Sequence, residues 1–241
     1  MLVPGPVSFG RILREGIALY FQHLPVIVGV ILVYLPLDLF KEYAVAQGQL
    51  DEMGSFRFEM VASGLVSMLT GPAIVYAMVE SMRTGSRVGV FAALRYGARR
   101  WPECFGNRIR AGLRILGGLM LLVVPGLIAM ARYALVDEIV ALEHEEQEEM
   151  PFERSRALAE DHKAVIFFTL GAAWLGSFAL AMLAGMLLAI SEHWLLQTAV
   201  DMLINIASGA LSCVGLALYV SLKHPGAGPS WVEEARWVAQ R

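Results

Sequence analysis

Three ionisable residues interrupt one of the most apolar parts of the chain: Arg132, Asp137 and Glu138 lie within VVPGLIAMARYALVDEIVAL, Val123 to Leu142. Charged groups inside a spanning helix are expensive, and they mark either a buried polar network or a path for protons or solutes. On one helix Arg132 and Asp137 are about 140° apart, so their partners should come from other helices. Asp38 and Asp201 in other apolar stretches, with Glu80 at a border, are the available acids. Asp201 and Arg132 sit at similar depths, so Asp201 is the expected partner of Arg132, with Asp38 in reserve. Glu138 is expected to snorkel toward the cytoplasm. The last apolar stretch places Asp201, Asn205, Ser208 and Ser212 at spacings of four, three and four, one polar stripe on a helix. Such a stripe lines a hydrated cavity or hydrogen-bonds to neighbouring helices, and packing is the commoner use.

Other chemistry is poorly represented. The sequence has no GxSxG, GxxxxGK[ST], paired CxxC, GxGxxG or HExxH, which argues against an ATPase or a soluble-type hydrolase. Glu143, His144, Glu145, Glu146, Glu148 and Glu149, with His162 beyond, match no closed zinc spacing and read as a solvated acidic loop. No metal and no cofactor is expected. Cys104 and Cys213 read as reduced packing residues. The arginines from Arg83 to Arg114 read as inner-surface anchors, with Arg95, Arg99, Arg100, Arg108 and Arg110 the candidate contacts to lipid headgroups; nucleic acid is not expected as a partner.

The elements that must position these groups are membrane helices. At 57% hydrophobic residues and a mean hydropathy of +0.58, the chain is too apolar for an ordinary soluble domain. Six spans are expected, at about 24–41, 58–82, 109–124, 126–142, 164–190 and 197–222. One kinked helix over 109–142 would reach about 51 Å, far beyond a ~30 Å hydrocarbon core, so Pro125–Gly126 reads as a turn between two spans. All of the 19 Lys and Arg except Lys41, Arg57 and Arg132 then collect on one side. That asymmetry places both termini in the cytoplasm of a prokaryotic cell, the protein being a multi-pass inner-membrane protein without a removable signal peptide.

Amphipathic segments precede alternate spans. Surface helices are expected at about 8–22 (Ser8 the N-cap), 88–101 and 151–162, following Phe9, Phe91 and Phe152 and each feeding a helical hairpin. The fold class is therefore all-α: a six-helix membrane bundle of three such units. A fourth amphipathic helix at about 230–240, with Ser230 and Glu233 at capping-box spacing, rests on the cytoplasmic surface. Ala173, Ser177, Ala181 and Gly185 form a small-residue ridge expected to pack against another helix.

Pro125, Gly126, Arg132, Glu143 and the PFERSRAL segment (Phe152, Ser155, Arg156, Leu158) resemble the glycerophosphoryl diester phosphodiesterase membrane-domain family. The resemblance implies a six-span membrane module; in fused members of that family catalysis belongs to a separate soluble barrel, for which this chain has no counterpart. The leading expectation is thus a non-catalytic membrane protein that binds lipids or partners, the candidate partners being another membrane protein or a second copy. The alternative is a small transporter or lipid-handling protein using the intramembrane arginine and acids, and a membrane enzyme comes third. A continuous hydrated cavity reaching Arg132 would favour the alternative over the first, and a tightly packed, dry bundle the first.

Overall fold

The computed structural model describes residues 7–143, 150–188 and 193–223; the acidic run 144–149 and the expected tail helix 230–240 lie outside them. Among the described residues the chain is all-helical. Helix α1 (Phe9–Ile31) starts after Ser8, whose backbone is extended but whose side chain makes no capping bond. The expected surface helix 8–22 is not a separate element, because it runs without a break into the apolar segment. After Ile31 the chain tightens into one 3-10 turn, Leu32–Tyr34, and resumes as α2 (Leu35–Ala46). Pro36 lacks the N–H that would continue the α-helical ladder, so the helix changes pitch there.

Gly48, at φ 68°, turns the chain back. Asp51 then caps α3 (Glu52–Thr84), accepting a 2.7 Å bond from the Gly54 N–H. Gly85, at φ 67°, closes α3. The second expected surface helix, 88–101, also merges with its span, into α4 (Val90–Leu121). Leu122 is extended and makes the turn, and α5 (Val123–Tyr133) follows. The hairpin expected here is present, but its turn falls three residues before Pro125. Pro125 sits in the first turn of α5, where no intrahelical donor is needed. Gly118 and Gly126 let the two arms touch: a Cβ on Gly118 would lie 3.1 Å from the Gly126 Cα.

The expected span 126–142 is broken at Ala134–Leu135, leaving α6 (Val136–Leu142) as a short separate helix. Then come α7 (Met150–Ala159), α8 (Lys163–Leu188) and α9 (Trp194–Lys223). Four segments among the described residues are long and apolar enough to cross a membrane: Phe9–Ala46, Met53–Thr84, Lys163–Met186 and Trp194–Lys223. The arginine-rich α4 and the broken α5–α6 pair are not among them.

Helix α9 is the centre of the bundle, with Cys213 to Val220 all buried, and it packs on α1, α2, α3 and α8. Helix α8 is peripheral. Only 11% of its apolar window is covered, which leaves Phe168, Trp174, Leu175, Met182 and Leu183 facing outward. Of the expected packing ridge on α8, Ala173, Ser177 and Ala181 are partly buried on the face turned to the bundle, and Gly185 at its end is exposed. A Cβ on Gly185 would meet nothing within 4 Å, and the Ser177 hydroxyl donates back to its own helix at Ala173. The close approaches lie elsewhere, where Gly97 of α4 rests on the Leu69 carbonyl of α3 and Gly16 of α1 abuts Val214.

Candidate functional site

At one end of the bundle Lys41 is 6% exposed and faces three acids from three helices. Its Nζ lies 2.7 Å from Glu59 of α3, 2.7 Å from Asp201 of α9 and 3.1 Å from Glu42 of α2. Glu59 also accepts from Ser63 at 2.8 Å. One turn nearer the middle, Asp38 is buried and accepts a 3.0 Å bond from the Asn205 amide. These pairings replace those expected from depth. Asp201 goes to Lys41 and Asp38 to Asn205, because α2 and α9 pack side by side. Arg132 ends α5, which packs on α4, α7 and α8; its Nε is buried with no hydrogen-bond partner among the described residues.

The middle of the bundle encloses a cavity of about 300 Å³. Asn205, Ser208 and Ser212 of the α9 stripe form one wall. Asp137, Glu138 and Arg108 stand on another, with Tyr34 and Thr70 nearby. Arg108, assigned to headgroups, donates to the Ser67 hydroxyl at 2.6 Å and pairs with Asp137, the two side chains of that pair remaining 36% and 40% exposed. Of the other arginines assigned to headgroups, Arg95 and Arg99 are exposed and Arg110 partly so. Arg100 pairs with Glu103 at 2.6 Å and lies over the Tyr96 ring. Glu138 does not snorkel. It is 9% exposed, one carboxylate oxygen lies against Gly215 where a side chain would stand, and the other is buried without a hydrogen-bond partner.

Both interruptions of helical geometry border this region. Ile31 and Tyr34, flanking and closing the 3-10 turn, line the cavity, and so do Asp137 and Glu138, just past the α5–α6 break. The freed backbone groups of that break are satisfied by α7, where the Ser155 hydroxyl donates to the Arg132 carbonyl at 2.7 Å and accepts from the Leu135 N–H at 3.3 Å. Phe152 is buried edge-on against Tyr133 with the Arg114 guanidinium 4.1 Å above its ring, and Leu158 packs on the core.

At the far end Glu143, 6% exposed, gathers three donors. It accepts from Lys223 at 2.7 Å and from the Tyr219 hydroxyl, and pairs with Arg154 at 2.7 Å. Burial works against its charge, but the Lys223 and Tyr219 hydrogen bonds and the two cations overcome it, holding the carboxyl below the ordinary carboxylate range. The motif residues Arg132, Glu143, Phe152 and Ser155 therefore surround the helix break and its junction with α7.

Sequence reading missed Lys41, Glu42, Glu59, Arg108, Tyr219 and Lys223 as members of this system. For α9 a signal was present: beyond Ser212 the stripe continues at the same spacing through Gly215, Tyr219 and Lys223. From Asp201 to Lys223 it runs about 33 Å at ~1.5 Å per residue, close to a hydrocarbon core.

The fold and site define a helical bundle with candidate transmembrane helices and acidic groups in its interior. No family model, no curated protein and no solved structure matches the chain.

Proposed function

We propose that this protein is a small multi-pass transporter of a prokaryotic inner membrane, and that the central cavity is its transport site. The observation that carries the reading is a mainly apolar cavity at mid-bundle that holds Arg108, Asp137, Glu138 and the α9 stripe and is bordered by two helix interruptions. The 3-10 turn lies inside the candidate span Phe9–Ala46. Broken helices inside a membrane are tolerated where they line a cavity, and in transporters such breaks sit at the substrate site. The α9 stripe supports the reading, because Asp201, Asn205, Ser208 and Ser212 connect the Lys41 acids to the cavity. The cavity reaches Arg108, so Arg108, Asp137 and Glu138 take the place first given to Arg132. The reading involves no bond-making chemistry, and exposed Arg95 and Arg99 suit anionic headgroups on the cytoplasmic side.

The test is two-sided access. Ser212→Cys, with Cys104 and Cys213 changed to Ala, places one thiol on the cavity wall. An impermeant thiol reagent should label it slowly in spheroplasts and also in inverted membrane vesicles. Labelling from neither face, or from one face only, would sink the transport reading.

A further inference from the structure

We propose that the central cavity binds a small organic cation with an apolar body, its ammonium seated on Glu138. This names the substrate class of the transport site above and rests on that reading for its role in transport.

The charges facing the cavity decide the sign of the ligand. From α4 comes Arg108, whose guanidinium is already committed to Ser67 and Asp137. From α6 come Asp137, neutralised by that pairing, and Glu138, which no cation touches among the described residues. Helices α3 and α9 and the 3-10 turn contribute only neutral polar groups, namely Ser67, Thr70, Ser208, Ser212, Asn205 and Tyr34. The next charges along α9 lie in the Lys41 cluster, where three carboxylates outnumber one ammonium. Burial raises the Glu138 carboxyl to about 8, so it ionises readily only beside a bound cation, and with Arg108 committed an anion finds no partner there. A buried carboxylate oxygen without a partner carries a desolvation cost that a bound donor removes. Gly215 matters here, because a side chain at that position would displace the Glu138 carboxylate from α9.

The walls decide the rest. Met68, Ile74, Val75, Leu170 and Leu211 are apolar, and Tyr34 adds a ring able to face a cation. A volume of about 300 Å³ stands at the low end of ligand pockets and exceeds what one proton or bare ion needs. A divalent metal wants six or more oxygens, whereas one of the two carboxylates here is already held by Arg108. A small protonated amine with an apolar body satisfies both the free carboxylate and the walls.

Cys104 lines the cavity and reports occupancy without any mutation. The full chain in lipid nanodiscs is treated with N-ethylmaleimide in the presence of benzylammonium, benzyl alcohol or benzoate. Peptide mass spectrometry follows Cys104, with the buried Cys213 as internal reference. Benzylammonium should slow Cys104 alkylation saturably while the alcohol and the carboxylate do not. Glu138→Gln should raise the half-saturating amine concentration about tenfold or more, the scale of one charge-assisted hydrogen bond. The thermal unfolding midpoint, raised by the amine alone, applies the same criterion if Cys104 reacts too slowly to follow. Equal effects of the three compounds, no effect of the amine, or unchanged protection in Glu138→Gln would overturn the proposal. Two-sided labelling at Ser212→Cys without an amine effect removes the substrate class and leaves transport standing. Amine protection with one-sided labelling removes transport and leaves the site.

Discussion

Glu143 shows how far the setting of one residue departs from what its neighbours in sequence suggest. It opens an acidic run, yet its carboxylate is buried under Lys223, Tyr219 and Arg154. Because its folded pKa lies below the ordinary value, the unfolded chain binds the proton more readily. The stabilisation is present above the unfolded carboxylate pKa and is lost as pH falls through the folded one. Glu143→Gln should lower stability at neutral pH by about 1–3 kcal/mol, the range for hydrogen bonds to a charged group. Arg154, whose side chain is 46% exposed, adds little to that figure. Thermal unfolding in mild detergent from pH 7 to pH 4 should show the wild type converging on the variant as acid is added. A constant gap would contradict the assignment. That Asp137 and Asp201 need partners from other helices was legible from helical angles alone. Which partners they found was not, because the angles say which face a group occupies and nothing about the helix opposite.

Among the elements, the α5–α6 break and helix α8 make opposite demands on small residues. At the break, the Ser155 hydroxyl, 0% exposed, serves one freed carbonyl and one freed N–H. Ser155→Ala strands both and should cost about 1–3 kcal/mol. On α8, Gly185 faces open space, so Gly185→Leu should shift stability by no more than about 0.5 kcal/mol, as for other uncommitted surface sites. Both variants can be compared with the wild type in one set of thermal unfolding curves. A large loss in Gly185→Leu together with none in Ser155→Ala would reverse the description of these two helices. The small-residue spacing on α8 was legible as one face, of which Ala173, Ser177 and Ala181 are partly buried while Gly185 is exposed. Four-residue spacing places residues on one face, but what covers that face is settled by the other helices. Gly16 stands in no comparable ridge and Gly97 ends the short series Gly89, Ala93, Gly97; both make close contacts because α9 and α3 pass directly over them.

At the scale of the whole molecule, polar contacts align the ends of the bundle. Tyr96 near the start of α4 donates to the Ala141 carbonyl near the end of α6 at 2.5 Å, so the α4–α6 excursion begins and ends at one level. Lys223 at the end of α9 meets Glu143 at that level, and Gly16 of α1 lies beside Val214 of α9. The Lys41 cluster and the turn at Gly48 mark the opposite end. If the four candidate spans cross a membrane, the arginines Arg83, Arg87, Arg95 and Arg99 gathered at the Glu143 end predict that this end faces the cytoplasm. In a background without native cysteines, Gln49→Cys should react with an impermeant reagent in intact cells. Ser86→Cys should react only in inverted vesicles. The reverse pattern, or both positions reacting from one side, would overturn this orientation.

Composition and periodicity by themselves determined the class of the molecule. Apolar runs of bilayer length admit helices only, since no other unclosed structure satisfies its backbone in lipid. The cost of buried charge also pointed to Arg132, Asp137, Glu138, Asp38 and Asp201 before any coordinates. What tertiary structure alone decided is which acid meets which base, that Arg108 joins Ser67 and Asp137, and that Lys41 is an interior residue. The reason lies in range. Helix formation and face are set by residues three and four apart, whereas the pairings of Lys41 with Glu59 and Asp201 and of Arg108 with Asp137 join positions 18, 160 and 29 residues apart, brought together only when several helices pack at once.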